Sequence, residues 1–338
     1  MNVQEVQRPI CIIGLGLIGG SLLRDLGAAK HPAFGYNRST SGARSAAKEG
    51  FDVSNNLPET LQRAQEENAL IVIAVPMEAV GDVLDAIAEH APTCGMTDVV
   101  SVKSQVLQLV KDRGMESRYV GSHPMAGTAH SGWSASHTGL FRRAAWAIAY
   151  DYAVDNPEPG KFWVELFSDV TRMIQLVGAE AIPVRVAHHD ATVARVSHLP
   201  HILAETLAVV GDNGGILAQS LAAGSFKDGT RVAATAPELV RQMCETNAAA
   251  LVDALDEALD ILTQARDALA GNPPDISTLA DSGYRARTRL EARSGAHKDS
   301  VSPVRISSRP VLRLQPGAYG WVSTLKQTES IGGRIEIF

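Results

Sequence analysis

Aromatic side chains are scarce. Phe, Trp and Tyr make up 5% of the 338 residues, so a core must rest on Ala, Val, Leu and Ile. Cysteine is scarcer still: Cys11, Cys94 and Cys244 are odd in number and far apart. That excludes a disulfide framework and a Cys-x-x-Cys metal pair, and fits a reducing compartment. Long apolar runs are missing. The longest, residues 10–23, carries four glycines and is too short to span a bilayer. Residues 1–9 show no basic stretch followed by an apolar one, so no signal peptide is visible and a cytoplasmic protein is expected. Positive charge is not in excess: the formal net charge is −6, which argues against bulk nucleic-acid binding. The acidity is uneven, because residues 272–338 hold ten Lys and Arg against six Asp and Glu.

What is present suits a soluble globular chain, 45% hydrophobic and 20% charged. Its length corresponds to about two domains. Residues 10–13, 33–36, 69–75, 99–102, 119–121 and 145–150 read as short buried strands. Helical patterns separate them, among them 19–27, 78–90 and 104–113, and such alternation means βαβ units and a parallel sheet. Residues 162–177 read as an amphipathic helix and 181–183 as a last strand. Beyond Pro183 the pattern is helical over 184–210 and 237–269, with glycine- and proline-rich stops at 211–215 and 271–274. Leu203, Leu207, Val210, Leu251, Leu255, Leu259 and Leu262 are spaced to bury apolar helix faces, within one chain or between two. Residues 310–314 and 320–325 look β-like.

Gly14-Leu15-Gly16-Leu17-Ile18-Gly19 follows a strand and opens a helix. Gly14 allows a tight turn, Gly16 lets backbone approach a pyrophosphate, and Gly19 lets helix and strand touch. Free N–H groups at the helix start, Leu17 and Ile18 included, would face the phosphates. These features predict a Rossmann-type domain at 1–182, an all-α domain at 183–271 and a basic tail at 272–338. About 20 residues on, NAD sites place an acid for the ribose 2′-OH. Here Asn37-Arg38-Ser39 stands instead, and Arg38 would hold a 2′-phosphate. NADP is expected over NAD, which stays open as a second cofactor.

Ser122-His123-Pro124 follows a strand, and Ser197-His198-Leu199-Pro200-His201 lies in a helical stretch. A proline inside a helix costs about 3 kcal/mol, so a kink that aims the flanking histidines is expected. His188, His189, Asp190, His198 and His201 could share a face, but no His-Glu-x-x-His pattern or Cys cluster accompanies them, and no metal is expected.

With Ala-Val-Pro at 74–76, Ser-Val-Lys at 101–103, Ser-His-Pro-Met-Ala-Gly-Thr at 122–128, His-Asp at 189–190, Phe-Lys-Asp-Gly-Thr-Arg at 226–231 and Arg241…Asn247, the set resembles one family in order and content. It is similar to the prephenate/arogenate dehydrogenases of tyrosine biosynthesis over about residues 9–269, and most to their actinobacterial, coryneform-type members. The resemblance implies oxidative decarboxylation of a cyclohexadiene: hydride leaves C4 for the nicotinamide while CO2 leaves C1. It implies that His123 accepts from the C4 hydroxyl, that Ser101 orients His123 and touches the nicotinamide, and that Val75 and Pro76 line the cofactor site. It also implies that Arg231 holds the ring carboxylate and that His201 faces the substrate side chain. Arg241, Lys103 and Lys227 are further cationic candidates. It implies a homodimer through the helical domain, with no nucleic-acid or membrane partner, and leans to arogenate, although no acid in the matched segments clearly pairs an ammonium. Two departures stand out: Ala129-His130 where many relatives have Glu-Lys, and Val240 where several have Trp. A β-hydroxyacid-type dehydrogenase would need a Lys-Asn pair that 155–200 lacks, and a non-catalytic nucleotide sensor leaves His123, His201 and Arg231 unexplained.

Overall fold

The computed structural model describes residues 6–128, 130–294 and 309–338; Ala129 lies outside them. The chain divides into two units, Met1–Asp190 with Val311–Phe338, and Ala191–Pro310.

The first unit opens with β1 (Ile10–Ile13), α1 (Leu17–Ala28), β2 (Ala33–Tyr36), α2 (Thr40–Lys48), β3 (Val53–Ser54), α3 (Leu57–Glu66), β4 (Leu70–Ile73), α4 (Val80–His90), β5 (Met96–Asp98), α5 (Lys103–Lys111) and β6 (Tyr119–Val120). Its six strands run parallel in the order β3-β2-β1-β4-β5-β6. Every residue of β1 and β4 is buried, as a sheet covered on both faces requires. Alternate side chains feed two cores: Ile10, Ile12, Leu70 and Val72 join one, Cys11, Ile13, Ile71 and Ile73 the other. The strand expected at 99–102 sits three residues earlier. Thr97 and Asp98 are polar yet wholly buried in β5, because a hydrogen-bond network satisfies them.

Next come β7 (Ser122–Pro124), β8 (Ala145–Ala149), α6 (Asp151–Asp155), α7 (Lys161–Leu176), β9 (Glu180–Val184) and α8 (Val186–Val193). Beside the expected parallel sheet the unit holds a second one. These three strands form a separate sheet in which β7 lies antiparallel to β8 and β9 parallel to it.

The second unit is helical. A single π turn (Ala194–His198) separates α8 from α9 (Leu199–Asp212), so the expected run over 184–210 is interrupted where the proline-flanked histidines sit. After α10 (Gly215–Leu221) and α11 (Gly224–Thr230) come α12 (Pro237–Thr246) and α13 (Ala248–Ala270). Asn247 breaks the expected 237–269 helix, and its side chain meets His198 Nδ1 at 3.2 Å. An unforeseen helix, α14 (Ser277–Ser294), follows.

Residues 311–338 return to the first unit as β10 (Val311–Leu314), α15 (Trp321–Ser330) and β11 (Arg334–Ile337), with the strands parallel. Residues 320–325, read as β-like, start a helix instead: Gly320 takes φ 78° at its N-cap, a left-handed conformation open to glycine. Leu314, Trp321, Leu325 and Ile335 are buried in the same core as Trp163 and Phe167. The structure therefore divides the chain at 190/191 and 310/311, where the sequence pattern pointed to 182/183 and 271/272. Buried aromatic contacts, with Phe167 and Trp321 centroids 5.5 Å apart, bring the last segment back.

Candidate active site

The glycine turn joins β1 to α1 at the carboxyl edge of the parallel sheet, next to β4, where the strand order reverses. Ligands of doubly wound sheets bind at that edge. Gly14 has φ 105°, and a Cβ there would lie 2.5 Å from the Ala74 carbonyl oxygen. A Cβ on Gly19 would lie 2.0 Å from the Gly14 carbonyl oxygen. A Cβ on Gly16 would meet no protein atom within 4 Å, so that face of the turn is open to the approach a pyrophosphate needs. Gly16 is the N-cap of α1, so the Leu17 and Ile18 N–H groups have no carbonyl partner within the helix. Val75 touches the same turn, 3.0 Å from a Cβ on Gly14, and Pro76 follows it. At the end of β2, Ser39 caps α2 by accepting from Gly42 N–H at 3.3 Å, and Asn37 accepts from Ser39 N–H at 3.3 Å. Arg38 is exposed and makes no hydrogen bond or ion pair among the described residues. The turn fits a dinucleotide.

His123 is the middle residue of β7, opposite Ala147 of β8. Its Nδ1 lies 3.0 Å from Nε2 of His189, whose Nδ1 lies 2.7 Å from Asp190 Oδ1. The tautomers follow from chemistry, because an ionised carboxylate only accepts. His189 Nδ1–H donates to Asp190, so in its neutral form His189 Nε2 accepts. His123 Nδ1–H then donates to it, which puts the lone pair of the ring on His123 Nε2. Ser101, expected to orient His123, makes no hydrogen bond to a described residue; the ring is held by His189.

Asp190 is itself anchored. Its carboxylate also accepts from the N–H groups of Lys103 and Ser104, at 2.9 and 2.8 Å, in the first turn of α5. Burial pushes its pKa up. Hydrogen bonds from His189, Lys103 and Ser104 overcome that and lower it to about 2. The Lys103 side chain does not enter the site: it is buried against Asp98, and burial lowers its pKa while Asp98 opposes the shift. Asp98 accepts from Tyr119 OH at 2.6 Å and from Val100 N–H at 3.0 Å. Ser122 Oγ donates to the Asp98 carbonyl at 2.7 Å and accepts from Trp146 Nε1 at 3.0 Å. These bonds lock the strand that carries His123.

His201, Arg231 and Arg241 belong to the second unit. His201 stands in the first turn of α9. Its Nδ1 is buried with no hydrogen-bond partner among the described residues. Burial lowers its pKa and nearby Arg231 adds to that, against Glu205 and a hydrogen bond to the Val232 backbone. Arg231 and Lys227 are exposed. Arg241 pairs with Glu238 on the exposed side of α12. The other histidines are spoken for separately: His188 meets Glu329 at 2.8 Å and His198 meets Asn247. Sequence reasoning noted His189 and Asp190 without assigning them a role. The available signal was the adjacent base-and-acid pair with a second histidine upstream.

A doubly wound parallel sheet with a glycine cradle, and a histidine held through a second histidine by a carboxylate, suit a dehydrogenase. A family model described as "Prephenate dehydrogenase, nucleotide-binding domain" matches residues 20–179, and "Prephenate dehydrogenase, dimerization domain" matches residues 185–281. The cyclohexadienyl dehydrogenase of Zymomonas mobilis is 31% identical over 278 residues, spanning 80% of this chain and 91% of that protein. A crystal structure from Corynebacterium glutamicum, assigned to a prephenate dehydrogenase, is 59% identical with TM-score 0.93, over 99% of this chain and 100% of its own. The arogenate dehydrogenase of Synechocystis is 27% identical with TM-score 0.70, over 83% of this chain and 99% of its own. The chain belongs to the prephenate dehydrogenase family, and is an oxidoreductase that uses a pyridine nucleotide.

Proposed function

We propose that the protein catalyses the NADP-linked oxidative decarboxylation of arogenate in preference to prephenate, with His123 as the acceptor for the C4 hydroxyl. The observation that carries this reading is the chain Asp190–His189–His123, because it leaves His123 Nε2 unprotonated. When bound, the nicotinamide supplies the hydride acceptor. As hydride leaves C4, positive charge develops there and the hydroxyl becomes more acidic. His123 Nε2 draws on that proton, and the C1–carboxylate bond breaks to fill the ring with electrons. The products are CO2 and a phenol that keeps the C4 oxygen. A positioned imidazole contributes about 10²–10⁴-fold to such a step.

Gly14, Gly16, Leu17, Ile18, Gly19, Asn37, Ser39, Val75 and Pro76 would hold the dinucleotide, with Arg38 on the 2′-phosphate and Ser101 at the nicotinamide. Arg231 would take the ring carboxylate and His201 the side chain, with Arg241 as a further cation. Glu205 lies one turn beyond His201 on the same face of α9. Its carboxylate is what an ammonium would meet, and this supports arogenate. A homodimer through the second unit is supported by Ile216, Leu217 and Leu221 of α10, which are 83%, 70% and 73% exposed in the single chain. Among the described residues no helix is long and apolar enough to cross a membrane. Three buried free cysteines suit the reducing cytoplasm.

Purified protein with NADP and either substrate tests the function: no rise in absorbance at 340 nm with either would overturn it. His123→Asn should lower kcat by about 10²–10⁴-fold with cofactor Kd unchanged. A near-normal kcat would remove His123 from its role.

A further inference from the structure

The family matches end at residue 281, and α15 lies beyond them. Glu329, in its last turn, has a side chain only 16% exposed. Its carboxylate accepts from three donors: the Tyr150 hydroxyl, Arg185 N–H at 2.9 Å and His188 Nδ1–H at 2.8 Å. All three border the segment that delivers His189 and Asp190. Arg185 immediately precedes α8, and His188 immediately precedes His189. Asp151 completes the arrangement by accepting from Val186 N–H at 2.9 Å and from Arg185 Nε at 2.8 Å. Two carboxylates therefore cap the first turn of α8, where unpaired N–H groups and the helix dipole favour negative charge.

Holding residues 311–338 in place does not require this carboxylate. Trp321, Leu325 and Ile335 already sit in the core, and burying a charge is costly unless it is well bonded. Two of its bonds go instead to the segment that carries His189, one to the Arg185 N–H and one to the His188 side chain. The His123–His189 bond of 3.0 Å has little slack, since such bonds fade beyond about 3.5 Å.

We propose that Glu329 is a positioning residue for the reaction: it holds the start of α8 so that His189 keeps the hydrogen bond that orients His123. This rests on the reading of His123 as the proton acceptor.

Glu329→Ala and Glu329→Gln, each alone and with His189→Asn, test it in the full chain. Glutamine can keep all three contacts, because Arg185 N–H and His188 Nδ1–H donate to one and the same oxygen, and Tyr150 OH can accept from the amide that replaces the other. Glu329→Gln should stay within about threefold of wild type. Glu329→Ala should lose about tenfold in kcat, equivalent to one or two hydrogen bonds, with cofactor KM unchanged. In the His189→Asn background, Glu329→Ala should cost nothing further. An unchanged kcat in Glu329→Ala, an undiminished loss in the double variant, or equal losses for Ala and Gln would each overturn the proposal. If Glu329→Ala does not fold, His188→Ala decides. Its side chain is 70% exposed, a kcat loss of about two- to fivefold is expected, and no loss overturns the proposal. A wild-type kcat in His189→Asn alone would instead refute the His123 relay, and this inference with it.

Discussion

Asp190→Asn separates orientation from mere presence of the two histidines. The buried Asp190 carboxylate accepts from His189 Nδ1–H, Lys103 N–H and Ser104 N–H. Asparagine offers one acceptor oxygen, so its amide must turn a donor toward another donor. If it faces His189, the ring is driven to the other tautomer, with Nε2–H pointing at His123 Nδ1. His123 must then accept there and carry its proton on Nε2, the atom meant to take the substrate proton. In Ser-His-Asp hydrolases a wrong tautomer costs about 10⁴ in kcat. Here the affected ring is one bond further from substrate, and we expect about 10²–10³. The stability cost follows from the Asp190 pKa of about 2 against a reference of 3.8. This is on the order of 2–3 kcal/mol, or a Tm lower by roughly 5–10 °C for a unit of this size. The assay is steady-state kcat at 340 nm, well below the lowered Tm, beside a cofactor titration. A kcat within threefold of wild type, or a defect confined to cofactor Kd, would refute the reasoning.

The same carboxylate gives a pH prediction. Its folded pKa lies below the unfolded one, so its stabilisation is complete above about pH 5 and disappears as pH falls toward 2. Urea midpoints of wild type and Asp190→Asn should therefore differ clearly at pH 6, by about half as much at pH 3, and converge only near pH 2 and below; a constant gap would contradict this. Arg38→Ala should raise KM for NADP about tenfold or more and leave NAD nearly unchanged, since a charge-assisted phosphate contact is worth about 1.5–3 kcal/mol; equal effects would sink the 2′-phosphate assignment. Glu205→Gln should lower kcat/KM for arogenate about tenfold relative to prephenate, by loss of one charged contact; an unchanged ratio would remove Glu205 from the specificity pocket.

How far the chain could be read depended on whether the signal was local. The glycine turn was legible because its three glycines fall within six residues, directly between a strand and a helix. The π turn was announced by the proline between His198 and His201. β5 was misplaced because Val99, Val100 and Val102 look more like a buried strand than Thr97 and Asp98, whose burial depends on partners such as Tyr119 and Ser122. The relay was hidden for the same reason: His123 and His189 stand 66 residues apart, and no periodicity encodes their meeting. Residues 320–325 misled because Trp321, Val322 and Leu325 suit a strand equally well until Gly320 sets a helix start.

The way the chain leaves the first unit after Asp190 and returns at Val311 also sets an order of events during synthesis. Trp163 and Phe167 are made early, yet the side chains that cover them, Trp321 among them, emerge only after the whole second unit. At about 5–20 residues per second that wait is on the order of ten seconds, during which an aromatic face stays open to water. Contacts of such long sequence separation form slowly. A nascent chain interrupted before Glu329 would carry the cofactor cradle and both histidines but lack the carboxylate that caps the start of α8.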